Sequence, residues 1–290
     1  MGLALAERFP RARALLDHAS QMLDLDVVRL LTRGGRTLER TDVLQPVMTA
    51  VTLGAAEALR AAGCAPHLVA GHSLGEIAAC AAAGALTPAD AIRLARERGR
   101  VMAEAAMLTP GGLLALTRCD KVVVEAALER GRAHGMVVLG AHNAPDEWVL
   151  SGDESALRAV AETAPGTRLR VSGPWHSPAM EVAAACLRDR ARDLPARAFD
   201  VPLVLGMNGD LAPEAAALSE LVADSLLRPV AWTAVMATLR ARGVHTVVTC
   251  GPGKVLASLC RRNLGSTLRT LGTETPDELA RTVAELGHET

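Results

Sequence analysis

Gly71-His72-Ser73-Leu74-Gly75 constrains this chain more than any other stretch. It fits G-x-S-x-G and lies between the apolar run His67–Ala70 and the small-residue run Ile77–Ala85. The first run reads as a short buried strand and the second as a helix, so the pattern sits on a strand–turn–helix junction. A serine on so sharp a turn adopts a strained backbone, and small flanking residues let the chain pass itself. Its hydroxyl then stands at the carboxyl end of a strand. The N–H of the next residue, Leu74, points to where negative charge develops on a reacting carbonyl oxygen. The N-terminus of the helix adds positive potential there. The plainer reading is a glycine-rich turn with a capping serine.

The rest of the chain alternates in the same way. Thr87–Ala106 predicts a long helix, with Thr87 as N-cap, Pro88 at the first helical position and Asp90 in the first turn. Val201–Met207 and Thr246–Cys250 read as buried strands, near helices at Ser177–Leu194 and Lys254–Arg262. Uninterrupted apolar strands between helices predict an α/β fold with a parallel sheet covered on both faces.

Residues 112–172 have another rhythm. Strands are expected at Gly112–Thr117, Met136–Ala141, Glu147–Ser151 and Thr167–Val171, with helices at Lys121–Arg132 and Glu154–Thr163. That order, βαββαβ, is the split βαβ arrangement. Pro110-Gly111-Gly112 marks its entry and Gly173-Pro174 its exit. The expected organisation is a large α/β-hydrolase-like catalytic subdomain of residues 1–110 and 174–290, with a small ferredoxin-like subdomain, 111–173, inserted into it.

Composition excludes several function classes. With 290 residues, half of them hydrophobic, a sizeable core is available. Three Trp, two Phe and no Tyr leave that core to Ala, Leu and Val. A formal charge of −1 and the absence of a basic run argue against a nucleic-acid binder. Six scattered cysteines form no CxxC, which argues against a zinc ribbon or a thioredoxin-like site, and no metal is expected. Glu7 and Arg8 interrupt the start, so it lacks a secretory apolar region. No uncharged stretch approaches the roughly 20 apolar residues of a membrane span. A soluble cytoplasmic protein with reduced thiols is expected.

A serine nucleophile needs a base. Of eight histidines, His72 adjoins Ser73, but neighbouring side chains on a strained turn point apart. His18, His134 and His288 lie in polar helical or terminal segments, His67 and His245 flank strands, and His142 ends a strand. His176 differs. Pro174 and Trp175 restrict it, and Ser177-Pro178 after it reads as N-cap plus first helical residue. A fixed imidazole there suits a general base; a packing histidine in a turn is the alternative. No Asp stands out as its partner, so a backbone carbonyl is the expected orienting group.

The helix over 88–106 places Ala91, Leu94, Ala95, Val101, Met102 and Ala105 on one core-facing stripe. Arg98 falls on that stripe, whereas Arg93, Arg96, Glu97, Arg100 and Glu104 lie opposite. An inward guanidinium is costly unless an anion meets it. The anion is either a protein carboxylate or the carboxylate of a ligand, for which arginine offers a planar bidentate grip.

Taken together, these segments resemble the malonyl-CoA:acyl-carrier-protein transacylases and the acyltransferase domains of polyketide synthases. Gly71-His72-Ser73-Leu74-Gly75-Glu76 matches the G-H-S-x-G-E segment of that family, and Arg96-Glu97-Arg98-Gly99-Arg100-Val101-Met102 resembles its R-G-x-x-M helix. Trp175-His176-Ser177 with Met180 matches its histidine segment, and Leu44-Gln45-Pro46 its Q-P segment. His142-Asn143-Ala144-Pro145 and Val149-Leu150-Ser151-Gly152 resemble its N-x-P and V-x-S-G hairpin. Arg228-Pro229-Val230-Ala231-Trp232 and Cys250-Gly251-Pro252-Gly253-Lys254-Val255-Leu256 match two further segments.

The resemblance implies malonyl transfer from coenzyme A to the phosphopantetheine thiol of an acyl carrier protein, through an ester on Ser73. It needs no cofactor, because the coenzyme A thioester is itself a substrate, and it involves neither nucleic acid nor membrane. It implies His176 as base, Leu74 as oxyanion donor, and Arg98, Gln45, Asn143 and Trp175 as substrate-binding residues. Trp175 goes with an unbranched malonyl unit, and the Ala231 carbonyl would orient His176. Two rivals share the pattern. One is a hydrolase that clears acyl groups from carriers, whose relatives lack the arginine. The other is a catalytically impaired carrier-docking module. The family opens on a strand and a Gly-Gln-Gly loop that supplies a second oxyanion donor, and this sequence starts at the segment that follows it. The expectation is a late start, lowered activity or a substitute segment, since one such donor is worth on the order of 100- to 1,000-fold in rate.

Overall fold

The computed structural model describes residues 2–213 and 217–287. The first half contains α1 (Leu3–Arg8), α2 (Pro10–Leu23), α3 (Val27–Arg33), α4 (Thr41–Ala61), β1 (Val69–Ala70), α5 (Gly75–Ala82) and α6 (Pro88–Leu108). Then come β2 (Gly112–Thr117), α7 (Lys121–Arg132), β3 (Val137–Ala144), β4 (Glu147–Gly152), α8 (Glu154–Thr163) and β5 (Gly166–Arg168). The rest comprises α9 (Glu181–Arg192), β6 (Leu203–Val204), α10 (Leu218–Leu227), α11 (Trp232–Ala241), β7 (Thr246–Thr249), α12 (Lys254–Leu264), β8 (Arg269–Gly272) and α13 (Pro276–Gly287). Among the described residues no helix is long and apolar enough to cross a membrane.

α6 forms as its pattern requires. Thr87 Oγ1 accepts the Asp90 N–H at 3.1 Å, and Pro88 occupies the first helical position. The whole apolar stripe is buried, and Arg98 is buried with it at 2% exposure. On the outer face Arg93 pairs with Asp90, and Arg96 and Arg100 pair with Glu97. Such surface pairs contribute little to stability. α6 meets the start of α4 at Gly99, where a Cβ would lie 2.5 Å from the Thr41 carbonyl oxygen. Only glycine permits that approach, and it brings Arg98 within reach of Gln45 on α4.

The strands β2 to β5 form one antiparallel sheet in the order β3-β4-β2-β5. That is the ferredoxin-like order expected of βαββαβ. α7 and α8 cover one face, enclosing Leu114, Leu116, Val124, Leu128, Leu150, Leu157 and Val160 in a core of their own. β3 runs three residues past the expected Ala141, and β5 is a short exposed edge.

The parallel strands make two ladders. β1 pairs with β6 through Val69–Leu203 and Ala70–Val204, and β7 pairs with β8. Among the described residues no ladder joins the two pairs. The strand expected over 201–207 contracts to two residues because the chain turns back: the Leu205 N–H goes to the Asp210 carbonyl and the Gly209 N–H to the Leu205 carbonyl. The helix expected from Ser177 opens as a 3₁₀ turn, Pro178–Met180, before α9. One large core extends over α5, α6, α9, α10 and α11, with Val69, Ala70 and Val247 packed against it. An isolated parallel bridge between Ala141 and Val230 ties the antiparallel sheet to the large subdomain. The His142 N–H donates to the Val230 carbonyl at 2.8 Å, and the Val230 N–H donates to the Gly140 carbonyl at 2.9 Å. β3 thereby grips the segment that leads into α11.

Candidate active site

Ser73 sits between β1 and α5 with φ 52°, in the left-handed region. That conformation costs a non-glycine residue about 1–3 kcal/mol and persists where surrounding structure enforces it. Gly71 shows the enforcement: a Cβ there would lie 2.1 Å from the Gly75 carbonyl carbon and 2.2 Å from the Glu76 nitrogen. Gly75, by contrast, faces open space. The Gly75 and Glu76 N–H groups close the turn onto the His72 and Ser73 carbonyls. The Leu74 N–H has no protein acceptor among the described residues.

His176 comes from the far side of the chain and shares the conformation, with φ 59°. The Ser177 hydroxyl donates to the Pro174 carbonyl at 2.6 Å and fixes the turn around it. The His176 Nε2 lies 2.8 Å from Ser73 Oγ. Its Nδ1 lies 2.8 Å from the Ser225 carbonyl and 3.2 Å from the Arg228 carbonyl. Carbonyl oxygens only accept, so Nδ1 carries the proton and Nε2 presents its lone pair to the serine hydroxyl. Burial, then the charge of Arg98, then His72 push this histidine down to about 3, against the bonds to Ser225 and Arg228. The resting imidazole is neutral.

The expected orienting carbonyl, Ala231, is not the acceptor. Its oxygen is taken by α11, receiving the Ala234 and Val235 N–H groups at 2.9 and 3.1 Å. A carbonyl at a helix start points along the helix, so the histidine is served by residues three and six positions earlier, at the end of α10 and just beyond it.

Arg98 reaches the same hydroxyl. One of its terminal nitrogens donates to Gln45 Oε1 at 2.8 Å and the other to Ser73 Oγ at 3.2 Å. Gln45 is held in turn, its amide nitrogen 2.7 Å from Thr41 Oγ1 and 3.2 Å from Met102 Sδ. Among the described residues no carboxylate comes within ion-pair range of Arg98, which feels the charge of Glu76 at longer range. Burial lowers its pKa to about 10, so it stays cationic at neutral pH.

The other expected residues fall elsewhere. Asn143 Oδ1 accepts from His72 Nε2 at 2.8 Å, and its amide nitrogen donates to Glu147 Oε1 at 3.1 Å. The oxygen end of that side chain braces His72 beside the serine, and the nitrogen end is anchored on β4. The Trp175 ring packs in the large core beside Gly173. A small cavity of about 10 Å³ lies over Ser73 and His176, walled by Glu76, Gly206, Met207, Ser225, Arg228, Pro229 and Val230. Gln45, Asn143 and Trp175 are not on its wall. His288 lies outside the described residues.

Sequence reasoning missed the Ser225 and Arg228 carbonyls, which carry no side-chain signal. It also left Glu76 without a part, although a lone acid in a helix of small apolar residues was a signal. Glu76 is 6% exposed, its Oε1 accepts the Gly206 N–H at 2.9 Å, and burial raises it to about 7.

The arrangement is a hydroxyl with a neutral acceptor on its proton, a cation on its oxygen and an unpaired amide beside it. Such a set can form and break esters. The family described as "Acyl transferase domain" matches residues 1–286. The malonyl CoA-acyl carrier protein transacylase of Bacillus subtilis is 31% identical over 297 residues, covering 100% of this chain and 93% of that protein. The crystal structure of malonyl-CoA:acyl carrier protein transacylase from Xanthomonas oryzae is similar with a TM-score of 0.92 at 30% identity, over 98% of this chain and 93% of that one. A malonyl-transacylase solved in complex with its type II polyketide synthase acyl-carrier protein also matches, with a TM-score of 0.92 at 27% identity over 98% and 94% of the two chains. Sequence and architecture therefore agree along almost the entire length, and the chain belongs to the acyl transferase domain family.

Proposed function

We propose that this protein is a malonyl-CoA:acyl-carrier-protein transacylase working through an acyl ester on Ser73. The observation that carries the reading is the Ser73 hydroxyl, 2.8 Å from an unprotonated His176 Nε2 and 3.2 Å from an Arg98 nitrogen. The malonyl carboxylate takes the Arg98 guanidinium, which has no carboxylate partner in ion-pair range among the described residues. Ser73 Oγ attacks the thioester carbon while His176 Nε2 takes its proton. The oxyanion rests on the Leu74 N–H. The carbon–sulfur bond then breaks, and coenzyme A leaves with the proton from His176. The phosphopantetheine thiol of a carrier protein attacks the ester next. It gives its proton to His176, which returns it to Ser73 Oγ as the ester breaks.

In this reading residues 1–110 and 174–290 carry the reacting groups, and residues 111–173 form the small subdomain whose β3 edge steadies the His176 side of the cleft. Gln45 aligns Arg98, Asn143 acts through His72, and Trp175 shapes the histidine turn from the core. No cofactor is required, and the setting is the cytoplasm. Incubation with malonyl-, methylmalonyl- and acetyl-CoA followed by peptide mass mapping tests it. A malonyl adduct on Ser73 that discharges to a carrier thiol is expected. Free malonic acid without an acceptor would make the protein a hydrolase, and carrier binding with no adduct would make it a docking module.

A further inference from the structure

Glu76 has no part in the chemistry above, yet it sits in the first turn of α5, three residues after the nucleophile. A buried carboxyl costs free energy unless hydrogen bonds compensate. Its partner is the Gly206 N–H, at 2.9 Å. Gly206 passes the restraint on, because its carbonyl accepts the Ala231 N–H at 2.7 Å. Ala231 ends the segment 225–231, whose Ser225 and Arg228 carbonyls hold His176 Nδ1. The same segment is held from its other side by β3 through Val230. A carboxyl group beside the serine is therefore linked by hydrogen bonds to the backbone that aims the histidine.

The titratable and charged groups around Glu76 are Arg98 on α6, Cys80 one turn along α5, and His176 and Arg228 across the cavity. Among the described residues none forms an ion pair with it. Protonated or not, a carboxyl keeps an acceptor oxygen, so its bond to Gly206 survives across neutral pH.

We propose that Glu76 is a positioning residue: by holding the Gly206 peptide it fixes the 225–231 segment, and through it the tautomer and aim of His176. The inference rests on the reading of His176 as the base. Its test combines ¹⁵N-histidine NMR of the full chain with the rate of Ser73 acylation by malonyl-CoA, in wild type, Glu76→Gln and Glu76→Met. Glutamine keeps an acceptor, whereas methionine fills the volume without one. Glu76→Gln should keep the Nδ1–H form of His176 and most of the rate. Glu76→Met should show mixed tautomers and lose about 10- to 100-fold in acylation rate with little change in apparent malonyl-CoA affinity. A Glu76→Met protein whose His176 signals match wild type overturns the proposal, whatever its rate. So does a Glu76→Gln protein as disturbed as Glu76→Met, since charge rather than the hydrogen bond would then matter. If wild-type Ser73 takes no malonyl group, the transacylase reading falls, and the NMR comparison still decides the role of Glu76.

Discussion

Ser73 Oγ and His176 Nε2 stand 2.8 Å apart, and both residues hold left-handed backbones, at φ 52° and φ 59°. Two strained turns on separate segments face each other, and each points one side chain into a shared cleft. Glycine removes the left-handed penalty that alanine retains. Ser73→Gly should therefore be more stable than Ser73→Ala by about 1 kcal/mol, read from thermal or denaturant unfolding. Equal stabilities would mean that the turn stores no strain at this position.

Arg98 should matter more for a dicarboxylic donor than for a simple one. Arg98→Ala is expected to lower malonyl transfer by about 100-fold or more while acetyl transfer falls far less, because only the malonyl unit carries a free carboxylate. Parallel measurement of kcat/KM for malonyl- and acetyl-CoA checks this, and an equal loss of both would remove Arg98 from that role.

The depressed pKa of His176, about 3 against an ordinary 6.5, sets two pH expectations. The free enzyme keeps a neutral base well below pH 6.5, so Ser73 acylation should show no His176 inflection between about pH 5 and 7. The stability that follows from keeping this histidine neutral is complete above 6.5 and is lost as pH falls from 6.5 toward 3. Arg98 contributes to the depression, so Arg98→Ala should move the acid limb of the rate profile upward. A limb that stays in place would mean that the Arg98 charge is not felt at the imidazole.

Glu76 acts in the opposite direction. Its pKa rises from 4.5 to about 7 because burial disfavours the charged form. The folded state then binds the extra proton between those values. Its contribution is fully present below 4.5 and is lost as pH rises toward 7 and beyond. Glu76→Gln, which never charges, should gain stability relative to wild type as pH rises from about 5 to about 8, on the order of a few kcal/mol. Denaturant unfolding at the two pH values is the measurement, and a constant difference between the proteins would contradict the shift.

Trp175 tests whether its ring serves packing. It is 7% exposed and lies in the large core, beside a Gly173 that a Cβ would push into the ring. Trp175→Ala should cost about 3–5 kcal/mol of unfolding free energy. A loss under about 1 kcal/mol, with methylmalonyl now accepted, would instead put the ring in the acyl pocket.

By itself the sequence determined the local elements and put forward the candidates for the reactive set. Periodicity and capping were enough for α6, because that helix is specified by its own residues: Thr87 and Pro88 start it, and its apolar stripe carries Arg98 inward. G-x-S-x-G between a strand and a helix put Ser73 forward, and the rigid Pro174-Trp175 approach put His176 forward with a packing role still open to it. Tertiary structure decided what meets what. The 2.8 Å contact between residues 73 and 176, the Arg98 bridge between Gln45 and the serine, and the length of β6 depend on how distant segments pack. So does the choice of orienting carbonyl. Backbone oxygens are chemically alike at every position, and only packing selected Ser225 and Arg228 over Ala231, whose oxygen the helix it starts had already claimed.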